Sequence, residues 1–541
     1  MPEQSLSRAG TPVMLLIAVS ALIAFAWWWL GRPVPMPFAA GAGEKLQCVS
    51  YAPFRGEQSP LRDGTFIQAA QIEEDLIRLK RVTDCIRTYS IEHGLDQLPE
   101  IARRVGLKVI QGLWLSSHPD KNRQQVETVV ALAKRYPDVI QSVVVGNEVL
   151  LRGELSGADV ANFIREVKKQ VSMPVTYADV WEFWLRHREI YAAVDFVTIH
   201  ILPYWEDHPI PAKDAAAHVG SIRERMAAAF PDKDILIGET GWPSQGRMRE
   251  GALPSLVNQA LILQEILALA KQRGYRVNVI EAFDQPWKRR LEGTVGGYWG
   301  LFDDATREPK FQWGAPVSNH PYWLSQAGIG IAFAVVIFAA AAWTRRPGRP
   351  DVSPALWLAV AVIALAGGTM IGLAVEKTFY ESLGLGAWVR SAALVALGAF
   401  IPIAAASTIM RQDVVPSFAE CLSRGHEKQS GPDIVTGLLI VAITVLAIQV
   451  ALGLVFDPRY RDFTYAPLTA AIVPVAVLAL FCRWSATGLA ERIAGAVLVL
   501  SAVYIAFNES FANWQSLWFC ALLALLALSL LLRRKAPAAQ S

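Results

Sequence analysis

Residues 143–150 read VVVGNEVL, and residues 235–244 read ILIGETGWPS. In each stretch a short aliphatic run ends in a glycine, and a glutamate, Glu148 or Glu239, follows within two residues. Such continuous apolar runs are typical of parallel strands that are covered on both faces. Both stretches are therefore interpreted as buried strands that carry a carboxylate at their carboxyl end.

Six similar runs accompany these two, and amphipathic helical stretches separate them. The eight predicted strands are Leu46–Tyr51, Asp84–Tyr89, Lys108–Leu113, Val139–Gly146, Pro174–Ala178, Phe196–His200, Ile235–Gly238 and Val277–Ala282. The predicted helices include Ile67–Arg81, Arg123–Arg135, Gly157–Gln170, Ala212–Ala229 and Pro254–Gln272. Eight such units match a (β/α)8 TIM barrel better than an open doubly wound sheet, and no GxGxxG follows a strand. The fold class of this part is therefore α/β.

The rest of the 541-residue chain is far more apolar, and the whole is 53% hydrophobic and only 18% charged. A hydrocarbon core needs roughly 20 apolar residues in helical form. Eight runs approach that length: Val13–Leu30, Leu324–Trp343, Pro354–Val375, Ala387–Ile409, Ile434–Phe456, Tyr465–Cys482, Leu489–Phe507 and Trp514–Leu532. The sequence thus predicts an anchor at 13–30 and an all-α transmembrane bundle of seven spans at 324–532, with the lipid bilayer as a partner.

The loops between these runs alternate in basic content, which orients membrane proteins through the positive-inside rule. One set contains Arg8, Arg345, Arg346, Arg349, Arg411, Arg424, Lys428, Arg483, Arg492, Arg533, Arg534 and Lys535, and the other only Lys377, Arg459 and Arg461. We therefore expect a cytoplasmic N-terminus at 1–12, an outward domain at 45–320 and a cytoplasmic tail at 533–541. In a bacterium the domain would face the periplasm from the inner membrane. A cleaved signal peptide is the less favoured interpretation of the first run.

Several classes of ligand find no support in the composition. The net charge of +3 offers no concentrated basic face, so nucleic acid is not expected as a partner. The five cysteines show no CxxC or other metal spacing, and no cofactor or metal is implied. Cys48 and Cys85 both lie in the predicted outward domain, and the sequence leaves open whether they form a disulfide.

Polar and aromatic residues collect after the predicted strands, where the active sites of this barrel lie. They are Tyr51, Tyr89, Trp114, Asn147, Glu148, Asp179, Trp181, His200, Tyr204, Glu239, Trp242, Glu281, Asp284 and Trp287. Acids beside aromatic rings suit a sugar, whose C–H faces stack on rings while its hydroxyls form hydrogen bonds. Carbohydrate is therefore the predicted substrate class.

Glycosidic bond cleavage requires one carboxylic acid and one carboxylate on opposite sides of the anomeric carbon. Glu148 and Glu239 end different strands and can face each other across a barrel. A single acid after a strand is more often solvated or caps a helix, but two in such contexts make that explanation weak. A separation of about 5–5.5 Å would indicate a retaining mechanism. Asn147 would then contact the 2-hydroxyl of the sugar.

The motifs GNEV around Glu148, IGETGWPS around Glu239 and WGLF at 299–302 resemble glycoside hydrolase family 17, the β-1,3-glucanases and β-glucan transferases. The resemblance implies a (β/α)8 fold and retaining chemistry, with Glu148 as acid/base and Glu239 as nucleophile. The stretches YAPF, VTYADVW and EAFDQPWK also match bacterial members. Through this resemblance the expected substrate-binding residues are Asn147, Tyr51, Tyr177, Asp179, Trp181, Tyr204, Trp242, Glu281, Lys288 and Trp299.

Simpler roles stay open for several of these side chains. Tyr177, Tyr204 and Trp287 could be ordinary packing at the barrel mouth. Lys288 could form a structural ion pair with Glu292. His200 could be a satisfied barrel histidine rather than a part of the catalytic machinery.

An anchor, an outward hydrolase-like domain and a multispan bundle together resemble the membrane-bound glucan-synthesis proteins of rhizobia. The resemblance favours transglycosylation of β-glucan, and a membrane glucan synthase as a partner of the bundle. A membrane-tethered endo-β-1,3-glucanase is the alternative. A non-catalytic glucan-binding or glucan-export accessory protein is less favoured, because both acids are present.

Overall fold

The computed structural model of the chain describes residues 3–36, 45–345, 353–423 and 431–532. The chain divides into two compact units, one of residues 34–317 and one of residues 1–33 together with 318–541. The first unit contains all eight strands of a barrel, and the second is built from long helices.

The barrel unit is a closed ring of eight parallel strands in which each strand pairs with its neighbour in sequence and the eighth pairs with the first. The strands are β1 (Cys48–Ser50), β2 (Cys85–Arg87), β3 (Lys108–Leu113), β4 (Ile140–Asn147), β5 (Val175–Val180), β6 (Val197–His200), β7 (Ile235–Thr240) and β8 (Arg276–Val279). The predicted (β/α)8 barrel is confirmed. The strands β1, β2 and β8 are shorter than their predicted ranges, because the chain leaves the ladder early at all three.

Helices surround the barrel, while α1 (Glu3–Leu30) belongs to the second unit. The helices of the barrel unit are α2 (Ala69–Leu79), α3 (Leu98–Val105), α4 (Pro119–Arg135), α5 (Gly157–Lys168), α6 (Trp181–Arg186), α7 (Arg188–Ala193), α8 (Ala215–Ala229), α9 (Leu256–Arg273) and α10 (Arg289–Glu292). All five predicted helices are present within a few residues of their expected bounds. The sequence prediction did not include α3, α6, α7 and α10, which are short.

Helix α5 shows how local sequence produces these elements. The Ser156 hydroxyl accepts the backbone N–H of Asp159 and caps the first turn. Val160, Ile164 and Val167, spaced four and three residues apart, form one buried stripe. This stripe packs the helix against the barrel, so the local cap and the tertiary burial favour the same helix.

The second unit is a helical bundle. Besides α1 it contains α11 (Trp323–Trp343), α12 (Pro354–Glu381), α13 (Gly384–Arg411), α14 (Phe418–Leu422), α15 (Gly431–Phe456), α16 (Tyr465–Phe481), α17 (Leu489–Asn508) and α18 (Trp514–Leu531). Seven helices in the described part of the chain are long and apolar enough to cross a membrane. Each of the eight predicted spans coincides with a helix, but α16 is shorter and is not among those seven.

Two turns of the bundle are joined by a short parallel ladder, β9 (Val414–Val415) with β10 (Arg483–Trp484). Glu491, which is completely buried, accepts the backbone N–H of Phe418 at 2.9 Å and that of Gly488 at 3.0 Å. These bonds satisfy backbone N–H groups at the starts of α14 and α17. The first N–H groups of a helix have no acceptor within the helix itself.

Several residues behind the orientation prediction lie outside the described residues: Arg346, Arg349, Arg424, Lys428, Arg533, Arg534 and Lys535. The predicted cytoplasmic tail at 533–541 lies there as well.

Candidate active site

The two glutamates lie at the carboxyl ends of β4 and β7. Glu148 follows β4 directly, and its backbone N–H donates to the carbonyl of Ala178 on β5 at 2.8 Å. Gly146 and Glu148 both have positive φ, +89° and +52°. A glutamate in the left-handed region is uncommon, and such residues concentrate at functional sites because the surrounding structure must hold them there.

His200, at the end of β6, lies between the two acids. Its Nδ1 is 2.7 Å from Oε1 of Glu148, and its Nε2 is 3.6 Å from Oε1 of Glu239. The ligand-type atoms of these three side chains all lie within 4.8 Å of one another. Glu239 is 4% exposed and His200 1% exposed, while the Glu148 side chain keeps 23% of its surface open. The two carboxylates therefore form one compact group with one open side.

Arg87 on β2 is the cation of this group, and its side chain is completely buried. Nη1 donates to Oε1 of Glu239 at 3.3 Å and to the carbonyl of Gly238 at 2.7 Å. Nη2 donates to Oδ1 of Asn147 at 2.5 Å. Because arginine can only donate, the Asn147 carbonyl must face it and the amide NH2 must point elsewhere. One guanidinium thus orients a residue at each of the two strand ends.

Gly238 makes room for this arrangement. A Cβ at this position would lie 2.4 Å from Cγ2 of Thr198, 3.3 Å from Nη1 of Arg87 and 3.3 Å from Cδ2 of His200. The first distance is shorter than van der Waals contact allows. Gly238, the first glycine of GETGWPS, is therefore required for the packing of the site.

The protonation of Glu148 depends on its neighbours. Burial acts to raise the pKa of Glu148, but the hydrogen bond and charge of His200, with smaller effects of Arg87 and Arg152, hold that pKa below its usual value. Arg152 also donates to the backbone carbonyl of Asn147, the residue before Glu148. The Arg152 guanidinium lies over the Trp114 ring, 4.0 Å from its centre.

Tyr177 and Asp179 form a buried pair on β5. The Tyr177 hydroxyl donates to Oδ2 of Asp179 and accepts the backbone N–H of Leu150 at 3.0 Å. The second Asp179 oxygen accepts the N–H of Val180 at 2.8 Å. Burial raises the pKa of Asp179 to about 6, and the charge of Glu148 adds to the shift. The pair therefore supports the chain segment that carries Glu148.

Glu281 and Lys288 form a second buried pair, and Lys288 donates to both carboxylate oxygens at 2.8 and 2.9 Å. Burial lowers the pKa of Lys288, but the carboxylates of Glu281, Glu292 and Glu239 raise it above its usual value. The ammonium thus lies within the electrostatic reach of Glu239. Glu281 is the hydrogen-bond partner of Lys288, and Glu292 contributes charge only.

The other predicted sugar contacts are engaged by the protein itself. The Tyr51 hydroxyl donates to Asp75, that of Tyr204 to the carbonyl of Arg247, and Nε1 of Trp242 to the carbonyl of Leu253. Nε1 of Trp181 donates to Glu206, and Trp299 packs edge-on against Tyr204. All five side chains are at least nine-tenths buried. The structure brings Asn147, Glu148 and Glu239 together directly and leaves these aromatic residues in the surrounding wall.

Glu148, His200 and Glu239 have the donor types and spacing of a metal site. The Arg87 guanidinium, however, lies 3.3 Å from both the Glu239 oxygen and Nε2 of His200. A divalent cation there would meet a fixed positive charge that cannot be deprotonated. The arrangement therefore suits proton transfer and nucleophilic attack better than metal binding.

A barrel with two neighbouring glutamates at the carboxyl ends of β4 and β7 defines the class of protein, an enzyme that acts on glycosidic bonds. Residues 48–300 match the family model described as the BtgE/BtgC glycoside hydrolase domain. The resemblance to glycoside hydrolase family 17 is thus confirmed.

Named relatives agree with this assignment. The chain is 28% identical over 269 residues to a glucan 1,3-beta-glucosidase of Arthroderma benhamiae, covering 46% of this chain and 86% of that protein. It is 27% identical over 265 residues to glucan 1,3-beta-glucosidase BGL2 of Candida albicans, covering 44% and 85%. A β-glucosidase btgE of Aspergillus fumigatus is 29% identical over 225 residues, which cover 40% of this chain and 39% of the relative.

Solved structures include a Rhizomucor miehei β-1,3-glucanosyltransferase mutant in complex with laminaritriose. The two sequences are 22% identical, and the superposition has a TM-score of 0.44. The match covers 50% of this chain and 97% of the Rhizomucor chain.

Proposed function

We propose that this chain is a membrane-anchored β-glucan transglycosylase that cleaves β-1,3-glucan with retention and transfers the released end to another glucan. The observation that carries the proposal is the proximity of Glu148 and Glu239, whose carboxylate oxygens lie within 4.8 Å. Retaining enzymes hold their carboxyl groups about 5–5.5 Å apart, and inverting enzymes about 6.5–9.5 Å apart. The spacing therefore favours retention. The names of the relatives favour β-1,3-glucan as the substrate.

In the first step Glu239 attacks the anomeric carbon while Glu148 protonates the departing glycosidic oxygen, so that a covalent glucosyl-enzyme forms. Arg87 fixes the attacking carboxylate in place. The same residue turns the NH2 of Asn147 toward the substrate side, where it can donate to the 2-hydroxyl of the sugar. In the second step Glu148 takes the proton of an incoming hydroxyl, whose oxygen attacks the anomeric carbon and releases Glu239.

His200 supports the carboxylate form of Glu148. Its Nε2 lies 3.3 Å from Nη1 of Arg87, a group that can only donate, so the ring proton lies on Nδ1. Nδ1 then donates to Oε1 of Glu148 at 2.7 Å and favours the carboxylate that the second step requires. The geometry therefore gives one histidine contact with both acids.

Water and a sugar hydroxyl compete for the same intermediate, so hydrolysis is the alternative function. Transfer is favoured because the chain combines the enzyme with a helical bundle, and an enzyme that modifies a glucan emerging from a membrane benefits from staying there. A membrane glucan synthase that docks on the bundle is the partner that this role implies.

The proposed location is the outer face of a bacterial inner membrane. The distribution of basic loop residues supports it. The disulfide between Cys48 and Cys85 also supports it, because such bonds persist in oxidising compartments. Alkaline phosphatase fused after residue 320 should be active in cells, and a fusion after residue 541 inactive. The reverse pattern would contradict the orientation.

Product analysis of the full-length protein in detergent tests the reaction. β-1,3-Gluco-oligosaccharides should give products longer than the substrate, and the Glu239→Gln protein should give none. Only shorter products would establish the hydrolase, and an initial product of α configuration by NMR would contradict retention. Absence of turnover by the wild-type protein would refute the proposed catalytic function.

A further inference from the structure

The disulfide between Cys48 and Cys85 joins β1 to β2 inside the barrel. Both cysteines are buried, and they pack against one apolar residue from each of five further strand regions. These residues are Ile110, Val144, Ala178, Phe196 and Leu236. Together the seven side chains form an apolar cluster that we call the barrel floor.

The bond lies where the barrel ladder is shortest. Strands β1 and β2 have three residues each and share two registered pairs, Val49 with Ile86 and Ser50 with Arg87. The pairing of β1 with β8 on its other side also covers only two pairs. By contrast, β3 and β4 are paired at five positions, with one register shift. The covalent link therefore closes the ring at the point where backbone hydrogen bonds hold it least.

The next inward-facing residues of β1 and β2 connect the disulfide to the catalytic group. Side chains two residues apart on a strand point to the same side, so Ser50 stands above Cys48 and Arg87 above Cys85. Ser50 Oγ accepts from Nδ2 of Asn278 at 2.8 Å, and Asn278 also donates to the carbonyl of Gly238 at 2.7 Å. Arg87 donates to that same carbonyl at 2.7 Å. Both bridged strands are thus connected by hydrogen bonds to the carbonyl of Gly238, the residue before Glu239. The connection is direct from Arg87 and runs through Asn278 from Ser50.

We infer that the Cys48–Cys85 disulfide is a positioning element of the active site, which sets Arg87 against Glu239 and Asn147 and so makes catalysis depend on oxidation of the barrel floor. This inference rests on the proposed function of the two glutamates. Formation of the bond transfers two electrons and two protons from the thiols to a disulfide-bearing oxidant, which is released as two thiols. The enzyme would therefore mature only after its barrel reaches an oxidising compartment.

A bond-free protein, Cys48→Ser/Cys85→Ser, tests the inference in the full-length chain. Its kcat should fall about tenfold or more, with KM within twofold, because the sugar-binding wall remains while the orientation of Glu239 loosens. The parent should carry Cys421→Ala, Cys482→Ala and Cys520→Ala, so that no other thiol can exchange with the bond. A second bond-free protein, Cys48→Ala/Cys85→Val, should behave in the same way, which separates loss of the bond from the polarity of serine.

Loss of a disulfide also lowers stability, so a matched control is required. Val160→Ala removes two buried methyl groups from α5, outside the barrel floor. At a temperature where circular dichroism shows all variants folded, the Val160→Ala protein should keep its kcat within twofold. Equal kcat values for the bond-free proteins and this control would overturn the inference while leaving the proposed function intact.

Hydrogen exchange gives a readout that does not need turnover. Loss of the bond should speed exchange of the β1 and β2 amides, Val49 and Arg87 among them, and leave β3 and β4 unchanged. Failure of the oxidised wild-type protein to turn over glucan would contradict the proposed function, and unchanged exchange in β1 and β2 would independently overturn the positioning role of the bond.

Discussion

Two completely or almost completely buried glutamates in this chain have opposite surroundings. Glu239 in the barrel contacts two charged or titratable side chains, Arg87 on β2 and His200 on β6. Glu491 in the bundle accepts two backbone N–H groups at helix starts. The first environment orients a reactive oxygen, whereas the second satisfies donors that the helices leave open. Burial alone therefore does not mark a functional acid. The partners decide: charged or titratable side chains that also contact a second acid indicate a reactive site, whereas backbone N–H groups indicate a structural role.

The largest expected effect separates activity from folding at the barrel acids. Glu239→Gln should lower kcat on the order of 10⁴-fold or more, because the nucleophile is lost. Glu148→Gln should lower it roughly 10²–10⁴-fold, the usual contribution of a general acid. Initial rates with β-1,3-gluco-oligosaccharides provide the measurement, and Glu308→Gln, at an exposed glutamate, is the control. Equal rates for wild type and Glu239→Gln would remove Glu239 from the mechanism.

The next effect concerns the cation that organises both strand ends. Arg87→Lys should reduce kcat roughly 10²-fold, because one ammonium cannot span Glu239, Gly238 and Asn147 as the guanidinium fork does. Arg104→Lys, an exchange on the surface, should leave kcat within twofold. A kcat for Arg87→Lys close to that of the Arg104→Lys protein would show that the fork geometry is not required.

A smaller effect should appear in the pH dependence of stability. The pKa of Asp179 is raised from 3.8 to about 6 in the folded protein. Its contribution to the free energy of unfolding is therefore fully present below pH 3.8 and is lost as pH rises through about 6. That shift corresponds to about 3 kcal/mol. The Asp179→Asn protein should not show this pH dependence, because an amide does not titrate; if its carbonyl oxygen accepts from Tyr177, the N–H of Val180 loses its acceptor. Thermal unfolding midpoints at pH 4, 5, 6 and 7 give the comparison, and parallel curves for the two proteins would contradict the assignment.

The smallest effect belongs to the bundle. Glu491→Gln replaces one accepting oxygen by an NH2 group, so one of the two backbone donors loses its partner, at a cost of about 1–3 kcal/mol. The unfolding midpoint of the bundle should drop, while kcat at a temperature where the protein is folded should not change. A fall in kcat in the folded Glu491→Gln protein would show that the two kinds of glutamate are not functionally separate.

The sequence was most informative where its pattern is repeated. Eight apolar runs and the two glutamate motifs predicted the barrel and the position of the candidate acids, because strand ends must meet at one face of such a barrel. The ends of β1, β2 and β8 were predicted less well. There, apolar residues continue beyond the ladder and make the strand appear longer than it is.

Arg87 shows what sequence alone did not reveal. In CIRTYS an arginine two residues after Cys85 resembles a solvated strand residue, and only closure of the barrel shows that this position points inward. A charged residue between buried strand positions was the available signal. His200 was similarly ambiguous, since a histidine after VTI is compatible with an ordinary core. The role of each residue depends on partners more than 50 positions away in the chain.

Gly238 contributes to the site by the volume that it leaves empty. Thr198 lies where a methyl group would have to be placed, and Arg87 and His200 would be in tight contact with that group. Replacing a single hydrogen at this Cα would therefore disturb the partners of both acids at once, although the substitution introduces no polar or charged atom. In an engineered variant library, position 238 should consequently accept glycine alone, and a search for altered acceptor preference has more freedom in the aromatic wall than beneath the nucleophile.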